Sequence, residues 1–347
     1  MSASASAVTQ PTAADPTAPL IEIRHLVKEF PVTAGAVLQR KIGSIKAVTD
    51  VSFAIAKGET FGLVGESGCG KTTIGRLLVG LEKPTSGEIL FEGRDIARLS
   101  GSERRKQRRD LQLVFQDPYA SLDPRMRVGT IVKEPLNVQK IGTREERSAR
   151  VRQLLSEVGL SPKAVDFYPH EFSGGQRQRI GLARALSLNP KLIVADEPVS
   201  ALDVSIRSQI LNLMNSLQEV HGLTYLVISH DLSVVKYLSD RIGVMYLGKL
   251  VEVGPSHEIY ERPAHPYTQG LIGAIPEPDP NRERTKDVTP IRGELPSALN
   301  PPPGCRFSTR CPRAQALCSE QEPPMRPFGP QHLAACHFPL QTPQSAA

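Results

Sequence analysis

Apolar and polar residues alternate in two short stretches near the start of the chain. Residues 20–26 and 48–55 both show this alternation, which is typical of strands with one buried face. Residues 86–93 form a further short strand that ends in a Glu-Gly turn. We therefore predict a small antiparallel sheet in the N-terminal part of the chain.

Continuous apolar runs indicate a second group of strands. Residues 60–64, 192–195 and 223–228 are almost entirely apolar, and residues 111–115 form another strand. Such runs are typical of central strands that are covered on both faces. Helical spacing follows at residues 74–79 and prevails from about residue 143 to residue 186. Strands that alternate with helices predict a parallel sheet and an α/β fold.

The composition is that of an ordinary globular protein. Of the 347 residues, 39% are hydrophobic and 22% are charged. The sequence has no run of eighteen or more apolar residues, so it predicts no bilayer-spanning helix. Residues 1–19 are rich in Ala, Ser, Thr and Pro and lack the basic start and apolar core of a secretory signal. We predict a disordered tail over residues 1–19 and a cytosolic protein.

The formal net charge of +6 is mild, and the basic residues are densest over residues 104–109. Contact with nucleic acid or anionic lipid is one interpretation of such a run. Glu103 and Asp110 bracket it, and this favours a solvated helix face. We predict no nucleic-acid partner.

Residues 65–72 match the pattern G-x-x-x-x-G-K-[ST], between a predicted strand and a predicted helix. Glycines let successive backbone N–H groups point at phosphate oxygens, and the helix that begins near Lys71 adds its positive end. Lys71 would reach the β- and γ-phosphates, and the Thr72 hydroxyl would ligate Mg²⁺. The alternative is a chance glycine-rich turn. The residues predicted to bind ATP here are Gly65, Glu66, Ser67, Gly68, Cys69 (as a small filler), Gly70, Lys71, Thr72 and Thr73.

Two carboxylates follow the apolar strand at residues 192–195. After a phosphate loop, an acid at a strand end is suited to hold Mg²⁺ through water, and the next acid to deprotonate the attacking water. We assign Asp196 to the metal and Glu197 to the base. The alternative is a solvated acidic strand end.

Gln116 and His230 each follow a predicted strand. An amide at Gln116 would ligate Mg²⁺ or the attacking water, although a surface glutamine is the commoner interpretation. An imidazole at His230 would touch the γ-phosphate and link it to Glu197. A structural histidine is the alternative.

A second glycine-rich segment opens a helix at residues 173–176, Ser173, Gly174, Gly175 and Gln176. Ser is a good N-cap, and the glycines let backbone N–H groups face outward. The alternative is an ordinary helix start. The chain's own phosphate loop has no need of a second anion site, so we predict that this one receives a phosphate held elsewhere.

The order of these motifs resembles that of the ATP-binding-cassette (ABC) ATPases over roughly residues 20–255. The phosphate loop resembles Walker A, Gln116 the Q-loop, residues 173–176 the signature, residues 192–197 Walker B, residues 200–203 the D-loop and His230 the switch histidine. The resemblance implies an α/β P-loop NTPase with a RecA-like core. It also implies an N-terminal antiparallel β subdomain, a helical signature subdomain at about residues 117–185 and a cysteine-containing C-terminal extension.

In this family two cassettes meet head to tail, and each ATP lies between one Walker A and the other's signature. Asp203 would lie at that seam. Phe30 resembles the aromatic residue that stacks on adenine, although it lies far upstream and residues 33–44 look inserted. A core phenylalanine is the alternative.

Residues 117–126, 168–172 and 265–268 resemble the ATPases of oligopeptide and dipeptide importers, and residues 176–179 with 197–200 resemble the F-type subunit. The resemblance implies a D-type ATPase partner, two permease subunits and, indirectly, an extracytoplasmic peptide-binding protein, with the chain peripheral on the cytoplasmic face of the inner membrane. Nickel, glutathione or a sugar is an alternative cargo. A soluble non-transport ABC ATPase and a regulatory, non-hydrolysing cassette are further alternatives. We place the cassette at residues 20–259 and the extension at residues 260–347.

Four of the five cysteines lie in the C-terminal extension, at Cys305, Cys311, Cys318 and Cys336. A cytosolic chain disfavours disulfides. Four thiolates in one short segment would suit a [4Fe-4S] cluster or a structural zinc ion. The segment also resembles the C-terminal module of the peptide-importer ATPases, some of which hold an iron–sulfur cluster. Unligated thiols remain an alternative.

Overall fold

A computed structural model describes residues 18–34, 40–117, 119, 121–276, 291 and 293–341. Residues 1–17, and with them nearly all of the predicted tail, lie outside the described residues. The strands are β1 (Ile21–Ala34), β2 (Arg40–Ile55), β3 (Thr60–Val64), β4 (Ser86–Phe91), β5 (Arg94–Asp95), β6 (Leu111–Val114), β7 (Leu192–Asp196), β8 (Thr224–Ser229), β9 (Arg241–Tyr246), β10 (Lys249–Pro255), β11 (Met325–Gly329) and β12 (His332–Ala335). The helices are α1 (Lys71–Leu78), α2 (Gly101–Asp110), α3 (Val128–Gln139), α4 (Arg144–Glu157), α5 (Gly174–Leu186), α6 (Val204–His221), α7 (Leu232–Leu238), α8 (Ser256–Glu261), α9 (Pro266–Gly273) and α10 (Ala316–Glu320).

The N-terminal strands form a four-stranded sheet in the order β2-β1-β4-β5. All of its pairings are antiparallel, which confirms the predicted antiparallel subdomain. The pairing of β1 with β2 continues past Phe30, so that Val32 still lies opposite Gly43. The described part of the segment that looks inserted in the sequence is therefore the far end of a long hairpin.

The larger sheet has the order β11-β12-β10-β9-β3-β8-β7-β6. The five strands from β9 to β6 are parallel, and every residue of β3, β7 and β8 is buried. This arrangement confirms the predicted parallel core. The sequence did not predict the other side of the sheet, where β10, β12 and β11 are added as antiparallel strands.

Three helices lie between β6 and β7 in the chain and pack on a shared core that includes Val132, Leu154 and Ile180. Capping boxes fix the starts of α4 and α5, where Thr143 and Ser173 are the N-caps. Short 3₁₀ turns at Pro162–Asp166 and Pro169–Glu171 connect these two helices. The basic run of the sequence lies on α2, where Gln107 is the buried position.

The C-terminal extension is joined to the large sheet around a buried glutamate. Glu252 on β10 is fully buried and accepts hydrogen bonds from the backbone N–H groups of Ala264 and His265. His332 Nε2 on β12 lies 2.8 Å from the same carboxylate. One carboxylate thus links β10, the start of α9 and β12. The division of the chain at residue 260 remains a prediction.

We expect stability to fall on acidification because of His265, which caps α9. Burial lowers the pKa of His265 to about 4, although the nearby Glu252 carboxylate opposes the shift. The folded chain therefore keeps this imidazole neutral, whereas the unfolded chain protonates it below its ordinary pKa of about 6.5. At pH 5 the loss is about 2 kcal/mol of the free energy of unfolding. Urea unfolding at pH 7 and pH 5 checks this. In His265→Gln the free energy of unfolding should fall between pH 7 and pH 5 by about 2 kcal/mol less than in the wild type. An equal fall in the two proteins would exclude His265 as the cause.

Candidate nucleotide-binding site

The phosphate loop lies between β3 and α1, and its backbone requires glycine. Gly65 has φ +150° and Gly70 has φ +108°, a region that side chains with Cβ rarely adopt. A Cβ on Gly65 would lie 2.2 Å from the Met245 carbonyl oxygen, and one on Gly70 would lie 2.1 Å from that of Ala47. The loop is therefore wedged between β9 and β2. α1 begins at Lys71, as the sequence predicted.

Lys71 is held by the loop itself. Its ammonium group donates to the carbonyl oxygens of Gly65 at 2.7 Å and Glu66 at 3.0 Å. The side chain of Cys69 fills the space beneath, with its Sγ atom 3.7 Å from Nζ. Burial raises the pKa of the Cys69 thiol, so it stays neutral beside the ammonium group. These contacts keep Lys71 at the base of the loop, within reach of a phosphate that the loop would bind.

The next residue of α1 faces the end of β7. The Thr72 hydroxyl donates to the Asp196 carboxylate at 3.1 Å. Burial raises the pKa of Asp196, and the hydrogen bond from Thr72 opposes that shift. A divalent cation here would offset the cost of the buried charge. A hydroxyl and a carboxylate are the hard oxygen ligands that Mg²⁺ prefers, with water and nucleotide oxygens completing its shell.

Glu197 lies between Gln116 and His230, at the carboxyl end of the sheet. The Gln116 amide nitrogen donates to Oε2 of Glu197 at 2.7 Å, and His230 Nδ1 lies 2.8 Å from Oε1. Glu197 has φ +47°, and its backbone N–H donates to the Ile228 carbonyl at 2.8 Å. The strands β6, β7 and β8 are adjacent and parallel, so the residues that follow them meet. The three predicted side chains are thus brought together.

The second glycine-rich segment forms the exposed start of α5. The Ser173 backbone N–H donates to the Gln176 side chain at 2.9 Å, and the Gln176 N–H donates back to Ser173 Oγ at 3.3 Å. Both side chains are exposed. A Cβ on Gly175 would lie 2.4 Å from Cγ2 of Ile206, so the segment packs on α6. Asp203, the N-cap of α6, is also exposed.

Phe30 lies on β1 and pairs with Ile45 of β2. Ile45 is two residues before Ala47, whose carbonyl touches Gly70, so the hairpin runs beside the phosphate loop. The ring of Phe30 is half-buried, and the Lys28 ammonium group lies 4.7 Å from its centroid. The predicted role in adenine stacking remains a prediction.

Two residues that contact the loop were missed in the sequence. The backbone N–H of Glu66 donates to the Tyr267 hydroxyl at 2.9 Å. Both carboxylate oxygens of Glu66 are bonded by Arg310, at 2.6 and 3.0 Å. No local pattern marks these partners, because they lie more than 200 positions away along the chain.

The four cysteines of the extension lie within electrostatic reach of one another. Burial, with smaller effects from the other thiols, raises the pKa of Cys305 to about 11 and that of Cys336 to about 12. The Cys305 backbone N–H donates to the Cys318 carbonyl at 2.8 Å. Within the described ranges, however, no group of three or more His, Cys, Asp or Glu side chains is placed to hold a metal ion. The side-chain placement therefore does not support the predicted iron–sulfur or zinc site.

Comparisons with known proteins show the family of this chain. Residues 48–200 match the family model for ABC transporters, and residues 251–318 match the model for the C-terminal region of oligopeptide/dipeptide transporters. The oligopeptide transport ATP-binding protein AppF of Bacillus subtilis is 55% identical over 320 residues, covering 92% of this chain and 97% of the relative. The chain belongs to the ATP-binding proteins of ABC transporters. A putative peptide import ATP-binding protein of Brucella ovis is 52% identical over 318 residues, with the same coverage of 92% and 97%.

Solved ABC cassettes confirm the fold of this ABC ATPase. A dimeric, post-hydrolysis state of the ATP-binding cassette MJ0796, bound to ADP and Pi, matches 68% of this chain and 98% of its own, with TM-score 0.60 and 30% identity. The cassette cbiO1 of Clostridium perfringens, part of a cbiONQ transporter complex, matches with TM-score 0.61 and 27% identity over 70% of this chain and 91% of its own. In the described part of this ABC ATPase, no helix is both long and apolar enough to cross a membrane. An ABC ATPase binds and hydrolyses ATP with Mg²⁺.

Proposed function

We propose that this chain is the F-type ATPase subunit that powers import of dipeptides and oligopeptides. Its partners would be a paralogous D-type ATPase and two permease subunits that receive peptide from an extracytoplasmic binding protein. The chain would bind peripherally at the cytoplasmic face of the inner membrane. The observation that carries the catalytic part is the placement of Glu197 between Gln116 and His230, beside the contact of Thr72 with Asp196. The names of the relatives support the peptide cargo.

Each side chain of the site has a role in this proposal. Lys71 would exchange the loop carbonyls for the β- and γ-phosphates, and Thr72, Asp196 and Gln116 would hold Mg²⁺. The metal ion, when bound, neutralises charge that develops on the phosphate oxygens. Glu197 takes the proton of the attacking water, and His230 orients Glu197 and contacts the γ-phosphate. Attack in line with the leaving group requires positioning and charge stabilisation more than covalent chemistry.

The second half of the site would come from the partner ATPase. The exposure of Ser173, Gln176 and Asp203 supports this proposal, because a helix start that faces solvent is free to meet a phosphate held by another chain. The signature of each subunit would then close on the ATP bound by the other subunit. Hydrolysis and phosphate release would reopen the pair.

Uptake by cells or vesicles tests the proposed cargo. Labelled dipeptides and oligopeptides should be imported by the transporter that contains the wild-type chain and should not be imported with Glu197→Gln. Glu219→Gln, at an exposed position of α6, is the matched control. Import of nickel, glutathione or a sugar in place of peptide would contradict the proposed peptide cargo but not the proposed ATPase function. Undiminished peptide uptake with Glu197→Gln would overturn the assigned base.

We further propose that the four cysteines hold a [4Fe-4S] cluster, with zinc as the alternative. Burial raises the pKa values of Cys305 and Cys336, and the other cysteines lie close enough to raise them further; a bound cation would offset the cost of holding these groups as thiolates. Protein purified without oxygen should contain iron and acid-labile sulfide in equal amounts and should lose both in Cys305→Ser. Stoichiometric zinc, or no metal at all, would contradict the cluster.

A further inference from the structure

Glu66, the second residue of the phosphate loop, is held at three of its groups. Its backbone N–H donates to the Tyr267 hydroxyl at 2.9 Å. Its carboxylate oxygens accept hydrogen bonds from both terminal nitrogens of Arg310, at 2.6 and 3.0 Å. Its carbonyl oxygen accepts from Lys71 at 3.0 Å. The loop residue that follows Gly65 is thus fixed in both backbone and side chain.

Two of these contacts come from the C-terminal part of the chain. Tyr267 lies on α9 and is fully buried, and the Arg310 side chain is only 8% exposed. Arg310 precedes Cys311 directly. The loop is therefore in contact with the region that sets this ABC ATPase apart from a bare cassette.

The residues that carry these contacts are themselves packed tightly. The rings of Tyr246, Tyr267 and Phe307 lie 4.7 to 5.3 Å apart between centroids, in edge or tilted arrangements. The Arg310 guanidinium lies 5.8 Å from the Tyr246 ring centroid and donates to the Tyr246 hydroxyl at 3.4 Å. Paired acceptors raise the pKa of Arg310, with the Glu66 carboxylate as the largest cause. A bidentate hydrogen bond between a guanidinium and a carboxylate fixes the orientation of the two groups as well as their distance.

We propose that Arg310 and Tyr267 are positioning residues that preorganise the phosphate loop for ATP. A loop already held in its binding conformation loses less conformational freedom when nucleotide arrives. The C-terminal extension would therefore help to form the ATP site of its own chain by holding the phosphate loop. The proposal rests on the ATP-binding function of this ABC ATPase and adds to it a dependence on residues beyond the cassette.

Substitutions at the two positions separate a positioning role from a merely structural one. In the full-length chain, Arg310→Ala is expected to weaken MgADP binding about tenfold, and Tyr267→Phe by several fold. In the assembled transporter, both should raise the KM for ATP and leave kcat within about twofold, as loss of uniform binding requires. Arg310→Lys should recover part of the affinity for MgADP, because lysine keeps the positive charge but cannot form the bidentate hydrogen bond to Glu66. Arg326→Ala, at an exposed position of β11, is the control.

The pair of Arg310 with Glu66 is tested by a double-mutant cycle. Glu66→Gln should weaken MgADP binding to about the same extent as Arg310→Ala, and the double variant should be no worse than either single variant. Additive losses, an unchanged affinity in Arg310→Ala, or a fall in kcat with unchanged KM would overturn the proposal. Thermal unfolding shows whether Arg310→Ala is folded. If it is not, the test rests on the isosteric Tyr267→Phe, and an unchanged affinity of that variant for MgADP would overturn the proposal. If the wild-type chain and Arg326→Ala fail to bind nucleotide, the ATPase function is wrong instead.

Discussion

Replacement of Glu197 by glutamine is expected to reduce ATP hydrolysis by about 100-fold or more, the range that a positioned general base supplies. The carboxylate is oriented by Gln116 at 2.7 Å and by His230 at 2.8 Å, and glutamine keeps its shape but cannot accept a proton at neutral pH. ATP binding should change little, because Lys71 and the loop remain intact. Steady-state phosphate release and nucleotide affinity, measured on the same preparation, check both parts.

Glu219→Gln serves as the control for this result, since it removes an exposed carboxylate from α6 and should hydrolyse ATP at the wild-type rate. Hydrolysis by Glu197→Gln within threefold of the wild-type rate would exclude Glu197 as the base. A parallel loss of ATP affinity would instead indicate that the substitution disturbs the loop.

Gly70→Ala is expected to lower the free energy of unfolding by at least about 3 kcal/mol and to abolish nucleotide binding. The new methyl group would lie 2.1 Å from the Ala47 carbonyl oxygen, at φ +108°, so either β2 or the loop must move. Gly68→Ala is a matched control within the same loop. Gly68 has φ +78°, but a Cβ there would meet nothing within 4 Å, and only the conformational cost of about 1 kcal/mol is expected.

Urea unfolding of the two variants without nucleotide measures this difference. Equal destabilisation by Gly70→Ala and Gly68→Ala would mean that φ alone matters and that the contact with Ala47 does not. A stable Gly70→Ala that still binds MgADP would contradict the wedged loop described above.

The chemistry of the site was predictable from sequence because it follows the ends of buried strands. Gln116, Asp196, Glu197 and His230 each come within two residues of the end of an apolar run. Parallel strands place their carboxyl ends at one edge of a sheet, so a local pattern was sufficient to bring these side chains together. The same holds for the phosphate loop, whose strand, turn and helix are contiguous in the chain.

Other parts of the fold left no clear local pattern, for physical reasons, and α3 was expected only through the family resemblance, as part of the helical subdomain. α3 spans Val128–Gln139 but contains Pro135 and several β-branched residues, which weaken a helical signal. The strands β11 and β12 are short and lie in a segment rich in proline, where pattern alone favours loop. The far end of the strand pair β1–β2 looks inserted only by comparison with the family, because Phe30 lies far upstream; its pairing, such as Val32 opposite Gly43, follows no apolar periodicity.

Contacts over long sequence separations were beyond any local pattern. Tyr267 lies within a stretch that resembles the peptide-importer ATPases, yet nothing nearby in the sequence indicates that its hydroxyl meets Glu66. Arg310 is one of many arginines, and only the fold selects it as the partner of the loop. Residues of this kind are recognised only when the C-terminal extension is placed against the cassette.

Sedimentation velocity of the Glu197→Gln chain with its paralogous ATPase, with and without MgATP, is the most direct test of the proposed two-chain ATP site. The account predicts that MgATP drives the two chains into a stable heterodimer. Adding Ser173→Arg to the Glu197→Gln chain should prevent dimer formation, because the arginine blocks the exposed start of α5. If the chains remain apart at saturating MgATP, while the wild-type chain at the same concentration hydrolyses ATP at its full rate, the two-chain site is wrong.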